Sequence, residues 1–295
     1  MNDQAENLRK MKEGFSASSR SPILKPMQTK ARVITVTSGK GGVGKTNLTV
    51  NMALAFAKEG KKVLLIDADL GLSNVDVVLG CTPPYNLFQL LQSGYALSDV
   101  IADGPLGIKF VSGGSGIYDL TNLSDSQLHY FIDQIGQFDH WADIILIDTG
   151  AGLNRNVLNF VMAADEVIII TTPEPPAVTD AYAMMKTYSS QHGKSLVRLI
   201  VNRVHKPEEG EAVTNKLTKV AFRFLGLSVS SLGLIYEDRL MQKAVNSQVP
   251  LLISYPESIS ARCIERISHA LLFGEDIPVP RGFKGFIQRL IASAR

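Results

Sequence analysis

Short apolar runs alternate with amphipathic stretches along most of the chain from Arg32 onward. The runs are rich in Val, Ile and Leu without a polar position at every second residue, which is typical of strands buried on both faces of a parallel sheet. They predict strands at 32–38, 61–70, 108–113, 142–150, 165–172, 196–204 and 231–237. The stretches between them predict helices, among them 46–60, 124–138, 178–191 and 258–274. We therefore predict an α/β fold, a doubly wound, mainly parallel sheet with helices on both faces and its ligand beyond the carboxyl ends of the strands.

Two short tails flank the predicted domain of residues 32–275. Residues 1–31 are rich in Ser, Lys and Pro without sustained periodicity, which predicts a flexible N-terminal segment. Residues 276–295 contain a Pro-rich hinge and a short helical pattern. Residues 1–32 and 281–295 each carry four more basic than acidic residues, whereas the whole chain has a net charge of +2. Basic tails on an acidic body indicate either solvated or interacting segments.

Cysteine content favours a reducing compartment, and hydropathy gives no sign of export or of a membrane span. Cys81 and Cys263 lie far apart in no C-x-x-C or Cys/His group, so neither a disulfide framework nor a metal-cluster site is expected. No N-terminal stretch resembles a signal peptide, and no apolar run approaches the ~18 residues of a membrane span. We expect a cytoplasmic protein.

The segment "VTSGKGGVGKT", residues 36–46, lies between a predicted strand and a predicted helix. It matches the pattern G-x-x-x-x-G-K-[ST] of a phosphate-binding loop. In such loops the backbone and the helix N-terminus surround the phosphates, the lysine neutralises the terminal phosphates, and the hydroxyl binds Mg²⁺. A nucleotide and Mg²⁺ are therefore expected on the loop residues Gly39, Lys40, Gly41, Gly42, Val43, Gly44, Lys45, Thr46 and Asn47.

Three segments together, "SGKGGVGKT", "LIDADLGLSNVDVVLG" and "LIDTGAG", resemble the deviant Walker A ATPases of the MinD/ParA family. The resemblance implies ATP as the nucleotide and accounts for Lys40, a lysine that the phosphate-binding pattern does not need. In this family the extra lysine contacts the phosphates in the partner subunit, so Lys40 and Lys45 would both be catalytic. A cation supplied in trans stabilises charge on the transferred phosphoryl group. Hydrolysis would then require an ATP-bound homodimer.

The resemblance also assigns roles to polar residues at strand ends. Asp67 would lie near Mg²⁺ through water, Asp69 would orient the attacking water, and Asp148 would be the Walker B carboxylate beside the metal. Each aspartate could instead cap the next helix. An asparagine at a strand end is likewise a common turn residue. Contacts with the adenine base would come from Asn202, Arg203, Glu237 and Asp238.

The C-terminal segment "RGFKGFIQRLIASAR" places its apolar residues on one helical face. Two phenylalanines, basic flanks and no acidic residue favour an amphipathic helix on anionic lipid, although a helix docked on the core would show the same stripe. The MinD family carries a membrane-targeting sequence in this place, and two helices in a dimer would bind together. We expect a protein reversibly peripheral on the cytoplasmic face of the membrane, held there by Phe283, Lys284, Phe286, Ile287, Leu290 and Ile291.

The first residues, "MNDQAENLRKM", contain D-Q-A-x-x-L-R, which resembles the flagellum-regulating FlhG branch of the family. Gly150 in "DTGAG", where the MinD branch has proline, is similar to the same branch. In that branch the N-terminal segment binds and stimulates FlhF, a GTPase of the signal-recognition-particle type. The resemblance assigns this role to Asp3, Gln4, Leu8 and Arg9.

The sequence therefore favours an ATPase that dimerises with ATP, associates with the membrane, an FlhF-like GTPase and flagellar switch-ring proteins, and regulates flagellar placement and number. One alternative is a MinD-type division-site ATPase, which would leave the N-terminal motif unexplained. Another is a ParA-type DNA-segregation ATPase, which would leave the amphipathic terminus unexplained; nucleic acid is not an expected partner. A metal-cluster carrier or small-molecule transferase on the same fold is the third, and the lack of C-x-x-C argues against the cluster version.

Overall fold

The computed structural model describes residues 30–69, 74–81, 83–91, 95–112, 125–274 and 276–294. Within them one sheet runs in the order β3-β4-β2-β5-β1-β6-β7-β8. Neighbouring strands are parallel except β3 with β4. The predicted doubly wound, mainly parallel sheet is confirmed. The strands are β1 (Arg32–Ser38), β2 (Val63–Ala68), β3 (Ala102–Asp103), β4 (Lys109–Ser112), β5 (Ile144–Ala151), β6 (Glu166–Thr171), β7 (Leu196–Val204) and β8 (Val229–Tyr236).

Helices cover both faces of the sheet. The helix predicted over 124–138 is two helices, because the first ends at Ile135 and the second begins at Phe138 after a turn at Gly136. Short 3-10 turns span Leu87–Leu91 and Pro105–Gly107. The α-helices are α1 (Lys45–Lys58), α2 (Val75–Leu79), α3 (Leu97–Val100), α4 (Asp125–Ile135), α5 (Phe138–Trp141), α6 (Arg155–Ala163), α7 (Pro175–Ser190), α8 (Pro207–Leu225), α9 (Arg239–Asn246), α10 (Leu251–Ser254), α11 (Ile259–Phe273) and α12 (Gly282–Ala294).

Two apolar cores, one on each face of the sheet, explain the continuous apolar runs. Successive residues of a strand point to opposite faces. Val33 and Ile145 therefore pack in one core with α6, α7 and α12, while Ile34 and Leu146 pack in the other with α1 and α11. All four side chains are fully buried.

The terminal helix α12 is part of the first core. It packs on α6, α4, α5 and β1, and Phe286 stacks on Phe160 with ring centroids 6.1 Å apart. This corrects the expectation that the stripe is free to face lipid, because the stripe covers apolar side chains of α5 and α6 that would otherwise meet water. The buried stripe, 1–6% exposed, is Phe283, Phe286, Ile287, Leu290 and Ile291.

Three carboxylates, which we name the carboxylate clasp, hold the polar groups of α12. Asp139 accepts hydrogen bonds from the backbone nitrogens of residues 283 and 284, at 2.6 and 3.1 Å. Asp165, whose side chain is fully buried, pairs with Arg289 at 3.2 Å. Asp133 pairs with Lys284 at 3.0 Å near the surface. The clasp therefore pairs two cations of α12 with carboxylates of the protein, Arg289 and Lys284, of which the sequence assigned Lys284 to lipid.

Candidate active site

The phosphate-binding loop connects β1 to α1 at the carboxyl end of the sheet. Gly42 and Gly44 have φ values of 80° and 88°, a left-handed conformation that glycine adopts without steric cost. A Cβ on Gly44 would also lie 2.6 Å from Asn202 Nδ2, so no other residue fits there without displacement. The N-terminus of α1, a 14-residue helix, follows directly and favours an anion in the loop.

Asp148, near the end of β5, accepts hydrogen bonds from two polar side chains at the end of the loop. Lys45 Nζ lies 3.0 Å from its Oδ1, and Thr46 Oγ1 lies 2.6 Å from its Oδ2. Asp148 is fully buried and Lys45 is 7% exposed. The structure thus brings together the lysine, the hydroxyl and the carboxylate that the sequence assigned to phosphate and Mg²⁺.

The oxygen donors at this point suit Mg²⁺, which prefers hydroxyl, carboxylate, phosphate and water oxygens. Within the described residues no group of three or more His, Cys, Asp or Glu side chains forms a metal cage. Phosphate and water oxygens would therefore complete the coordination, with Thr46 and Asp148 as the protein's contribution.

Asp67 lies beside Asp148, because the two residues are partners in the parallel register of β2 and β5. Its Oδ1 accepts from Asp69 N at 3.0 Å, and its Oδ2 accepts from Asn74 N and Val75 N at 3.1 and 3.2 Å. Asp67 therefore accepts from the backbone of residues 69, 74 and 75 and lies next to Asp148.

Asp69 lines a cleft of about 400 Å³ on the phosphate side of the loop, together with Thr46 and Ala151. Its Oδ1 lies 3.4 Å from the point that a Cβ on Gly150 would occupy. The glycine therefore leaves room for the Asp69 carboxylate directly beside the end of β5.

A second cleft, of about 280 Å³, lies on the other side of the loop and contains the four residues assigned to adenine. Asn202 Nδ2 donates to Val43 O at 2.8 Å, which ties the cleft to the phosphate loop. Arg203, with a φ of 59°, pairs with Glu237 at 2.8 Å, and this hydrogen bond raises the pKa of Arg203. Asp238 has a structural role here, because its oxygens accept from Leu240 N and Ser260 N.

Lys40 lies apart from the Asp148 cluster. Its side chain is 40% exposed, and its Nζ pairs with Glu174 at 3.1 Å. The loop therefore holds one lysine inside the site, Lys45, and presents the other at the surface.

Sequence reasoning missed two residues of this site. Glu174 follows β6 and holds Lys40, and Thr49 Oγ1 lies 2.9 Å from Asp148 Oδ1. Thr49 could have been found from its spacing, because residues three or four apart on a helix share a face, and Thr46 and Lys45 stand at those distances. Glu174 gives no such signal, since its partner is 134 residues away.

The two predicted tail sites lie elsewhere. Asp3, Gln4, Leu8 and Arg9 are outside the described residues. The residues assigned to lipid are on α12, against the first core. Among the helices that the structure describes, none combines the length and the apolar character needed to cross a bilayer.

Comparison with known proteins agrees with this geometry. A family model described as the CobQ/CobB/MinD/ParA nucleotide binding domain matches residues 34–251. The antiactivator FleN of Pseudomonas aeruginosa is 38% identical over 264 residues, covering 88% of this chain and 93% of FleN. The flagellum site-determining protein YlxH of Helicobacter pylori is 35% identical over 266 residues, covering 88% of this chain and 90% of YlxH.

Solved structures show the same fold. The septum site-determining protein MinD complexed with Mg-ADP, from Pyrococcus horikoshii, has a TM-score of 0.65 and 25% identity, covering 83% of this chain and 98% of that one. MinD from Aquifex aeolicus has a TM-score of 0.64 and 27% identity, covering 85% and 100%. This chain belongs to the CobQ/CobB/MinD/ParA nucleotide-binding family and is a P-loop ATPase of its FlhG (FleN/YlxH) type.

Proposed function

We propose that the chain hydrolyses ATP as a homodimer, with Lys40 of each subunit acting on the nucleotide of the other. The observation that carries the proposal is the separation of the two loop lysines: Lys45 is 7% exposed beside Asp148, whereas the Lys40 side chain is 40% exposed at the surface. Only a surface cation can reach a neighbouring subunit. There it would stabilise charge on the transferred phosphoryl group.

The remaining residues of the site would bind phosphate and metal or position the attacking water. Bound Mg²⁺ would neutralise charge on the β- and γ-phosphates. Lys45 would then turn from Asp148 to phosphate and Thr46 from Asp148 to Mg²⁺, and the Asp69 carboxylate would orient the attacking water. Asp67 keeps Asp69 in reach, because it accepts a hydrogen bond from Asp69 N at 3.0 Å.

We propose that the ATP-bound dimer releases α12 to bind anionic lipid. Five buried apolar side chains contribute roughly 1.5–3 kcal/mol each, so release into water would cost on the order of 10 kcal/mol. A lipid surface removes most of this cost by burying the same stripe. It also offers phosphate to Lys284 and Arg289, which the carboxylate clasp holds in the docked state.

The flagellar role rests on the relatives. FleN is described as an antiactivator and YlxH as flagellum site-determining. We propose that this chain regulates flagellar placement and number, with its N-terminal segment stimulating an FlhF-like GTPase and its body contacting switch-ring proteins. MinD relatives are 29–35% identical, so division-site positioning is the second candidate.

Turnover per subunit at several protein concentrations tests the trans mechanism. Turnover per subunit should rise with concentration as dimers form, and a constant value from dilute monomer upward would contradict the proposal.

Cosedimentation with phosphatidylglycerol vesicles, in ATP and in ADP, tests the membrane step. Binding should require ATP, and equal binding in ADP would contradict the proposal. A peptide of residues 1–20, titrated into a purified FlhF-like GTPase, tests the partner role by the rate of GTP turnover.

A further inference from the structure

Three side chains with hydrogen-bond donors lie within 3.0 Å of the Asp148 carboxylate, and two of them have other partners when nucleotide binds. Lys45 and Thr46 lie 3.0 and 2.6 Å from its two oxygens. In a P-loop ATPase the lysine moves to phosphate and the hydroxyl to Mg²⁺. Asp148 is fully buried, so bulk water does not replace these donors. Mg²⁺ and its water would face Oδ2, the oxygen that Thr46 leaves, whereas Oδ1, the oxygen that Lys45 leaves, would be a buried acceptor without that donor, which is costly.

The third donor is Thr49, one helical turn after Lys45 in α1. Its Oγ1 lies 2.9 Å from Asp148 Oδ1 and 2.9 Å from Lys45 O. A hydroxyl carries a single proton, so it donates to one of these acceptors at a time. Thr49 is fully buried and lines neither of the two clefts beside the phosphate loop. It can stay with Asp148 when the other two donors leave.

We propose that Thr49 is a positioning residue for the ATPase reaction, which holds the Asp148 carboxylate in place once Lys45 and Thr46 have turned to the nucleotide. While Lys45 Nζ occupies Asp148 Oδ1, the Thr49 proton is free to point to Lys45 O. When Lys45 leaves, rotation about the Cβ–Oγ bond of Thr49 turns the same proton to Asp148. No heavy atom has to move.

An ordinary structural role predicts something different. Helical threonines often donate to the carbonyl four residues earlier, as Thr187 does to Ala183 O at 3.0 Å and Thr218 does to Thr214 O at 2.9 Å. No carboxylate bonds to either hydroxyl in the described part of the chain. What distinguishes Thr49 is that its second acceptor is a carboxylate, and Thr187 therefore provides a matched control.

The test compares Thr49→Val, Thr49→Ser and Thr187→Val in the full-length protein. Valine keeps the shape of threonine but removes the donor, whereas serine keeps the donor. Two quantities are measured against Mg²⁺ concentration: binding of a fluorescent ADP analogue, and ATP turnover. Outer partners of metal ligands typically change metal affinity or activity by about 10–100-fold. We expect Thr49→Val to need at least about tenfold more Mg²⁺ for half-maximal binding and to lower kcat, with ADP binding in EDTA unchanged.

The serine variant and Thr187→Val should both match the wild type. Equal Mg²⁺ dependence of Thr49→Val and the wild type would overturn the proposal. So would a serine variant as impaired as the valine variant, because packing and not the donor would then matter. Thermal melts without nucleotide identify a folding defect. If Thr49→Val does not fold, Thr49→Ala is compared with Thr49→Ser by the same two measurements and the same criteria.

Discussion

The two ends of the sheet both bury charged groups, but they hold them in different ways. At the carboxyl end, Lys45 pairs with Asp148 beside open clefts on both sides of the phosphate loop. At the amino end, Glu166 pairs with both Arg32 and Arg198, and all three side chains are at most 9% exposed. These arginines also donate to the carbonyls of residues 271 and 276, which lie in α11 and in the hinge before α12.

The difference determines which buried ion pairs a ligand can replace at each end of the sheet. Near the loop a ligand needs to displace one ion pair, which small side-chain movements allow. On the other face of the same end, Asp165 pairs with Arg289 of α12, and the aromatic side chains of this helix pack on α5 and α6, with Phe283 edge-to-face on Phe138 at a centroid distance of 5.8 Å. Release of that pair involves the whole helix. A ligand can thus bind at the carboxyl end by moving single side chains, whereas a change at the amino end requires release of the whole of α12.

The largest effect should come from Lys40→Ala at the carboxyl end. A cation supplied in trans contributes about 10³–10⁵-fold to turnover, so hydrolysis should fall by at least about 10³-fold while the ADP affinity of the monomer stays within a few-fold. Phosphate release and fluorescent ADP binding measure the two. Lys58→Ala is the matched control, because Lys58 is another partly exposed lysine paired with a glutamate, at 2.8 Å. Substantial turnover in Lys40→Ala would mean that the surface lysine has no catalytic role.

At the amino end, Phe286→Ala should lower the free energy of unfolding by about 3–5 kcal/mol, because it leaves a cavity in the first core. Phe222→Ala on α8 is the control, since this phenylalanine is 72% exposed and its loss should change stability by less than about 0.5 kcal/mol. Urea unfolding gives both values. Equal effects would show that α12 contributes little to the core and would remove the contrast between the ends.

Asp139→Ala should have a smaller effect, about 0.5–2 kcal/mol, because it removes the acceptor for two backbone nitrogens at the start of α12. Asp133→Ala removes a pair whose side chains are 70% and 50% exposed, and should cost less than about 1 kcal/mol. Hydrogen exchange of the α12 amides should rise more in the first variant than in the second. A larger rise in Asp133→Ala would mean that the surface pair of Asp133 and Lys284 stabilises α12 more than Asp139 does.

The smallest effect concerns pH. Burial raises the pKa of Asp165 above its ordinary value of 3.8, against the opposing influence of Val33 N and Arg289. The folded protein therefore keeps this proton over a range in which the unfolded chain has lost it. Stability should fall as pH rises from below about 3.8 through the raised pKa, and should then level off. Asp165→Asn should show a shallower slope over the same range. Identical slopes in urea titrations would assign the pH dependence to other groups.

Much of this molecule follows from local sequence pattern. Continuous apolar runs predicted seven of the strands, because strands buried on both faces need no polar alternation. The two-residue strand β3 was not predicted, since so short a strand has no period. The loop from Gly39 to Thr46 could be located because strand, glycines, lysine and helix follow one another within a few residues.

The sequence by itself determined the fold class, the phosphate loop and the amphipathic nature of the last helix, because each depends on residues close together in the chain. Only the tertiary structure decided where that helix lies, since one apolar stripe fits lipid or core equally well and the partner, Phe160, is 126 residues away. It also decided that Thr49 meets Asp148 and that Lys40 meets Glu174, 99 and 134 residues apart. Such pairs form where elements that are distant in the chain meet at one edge of the sheet, and spacing along the chain does not record that arrangement.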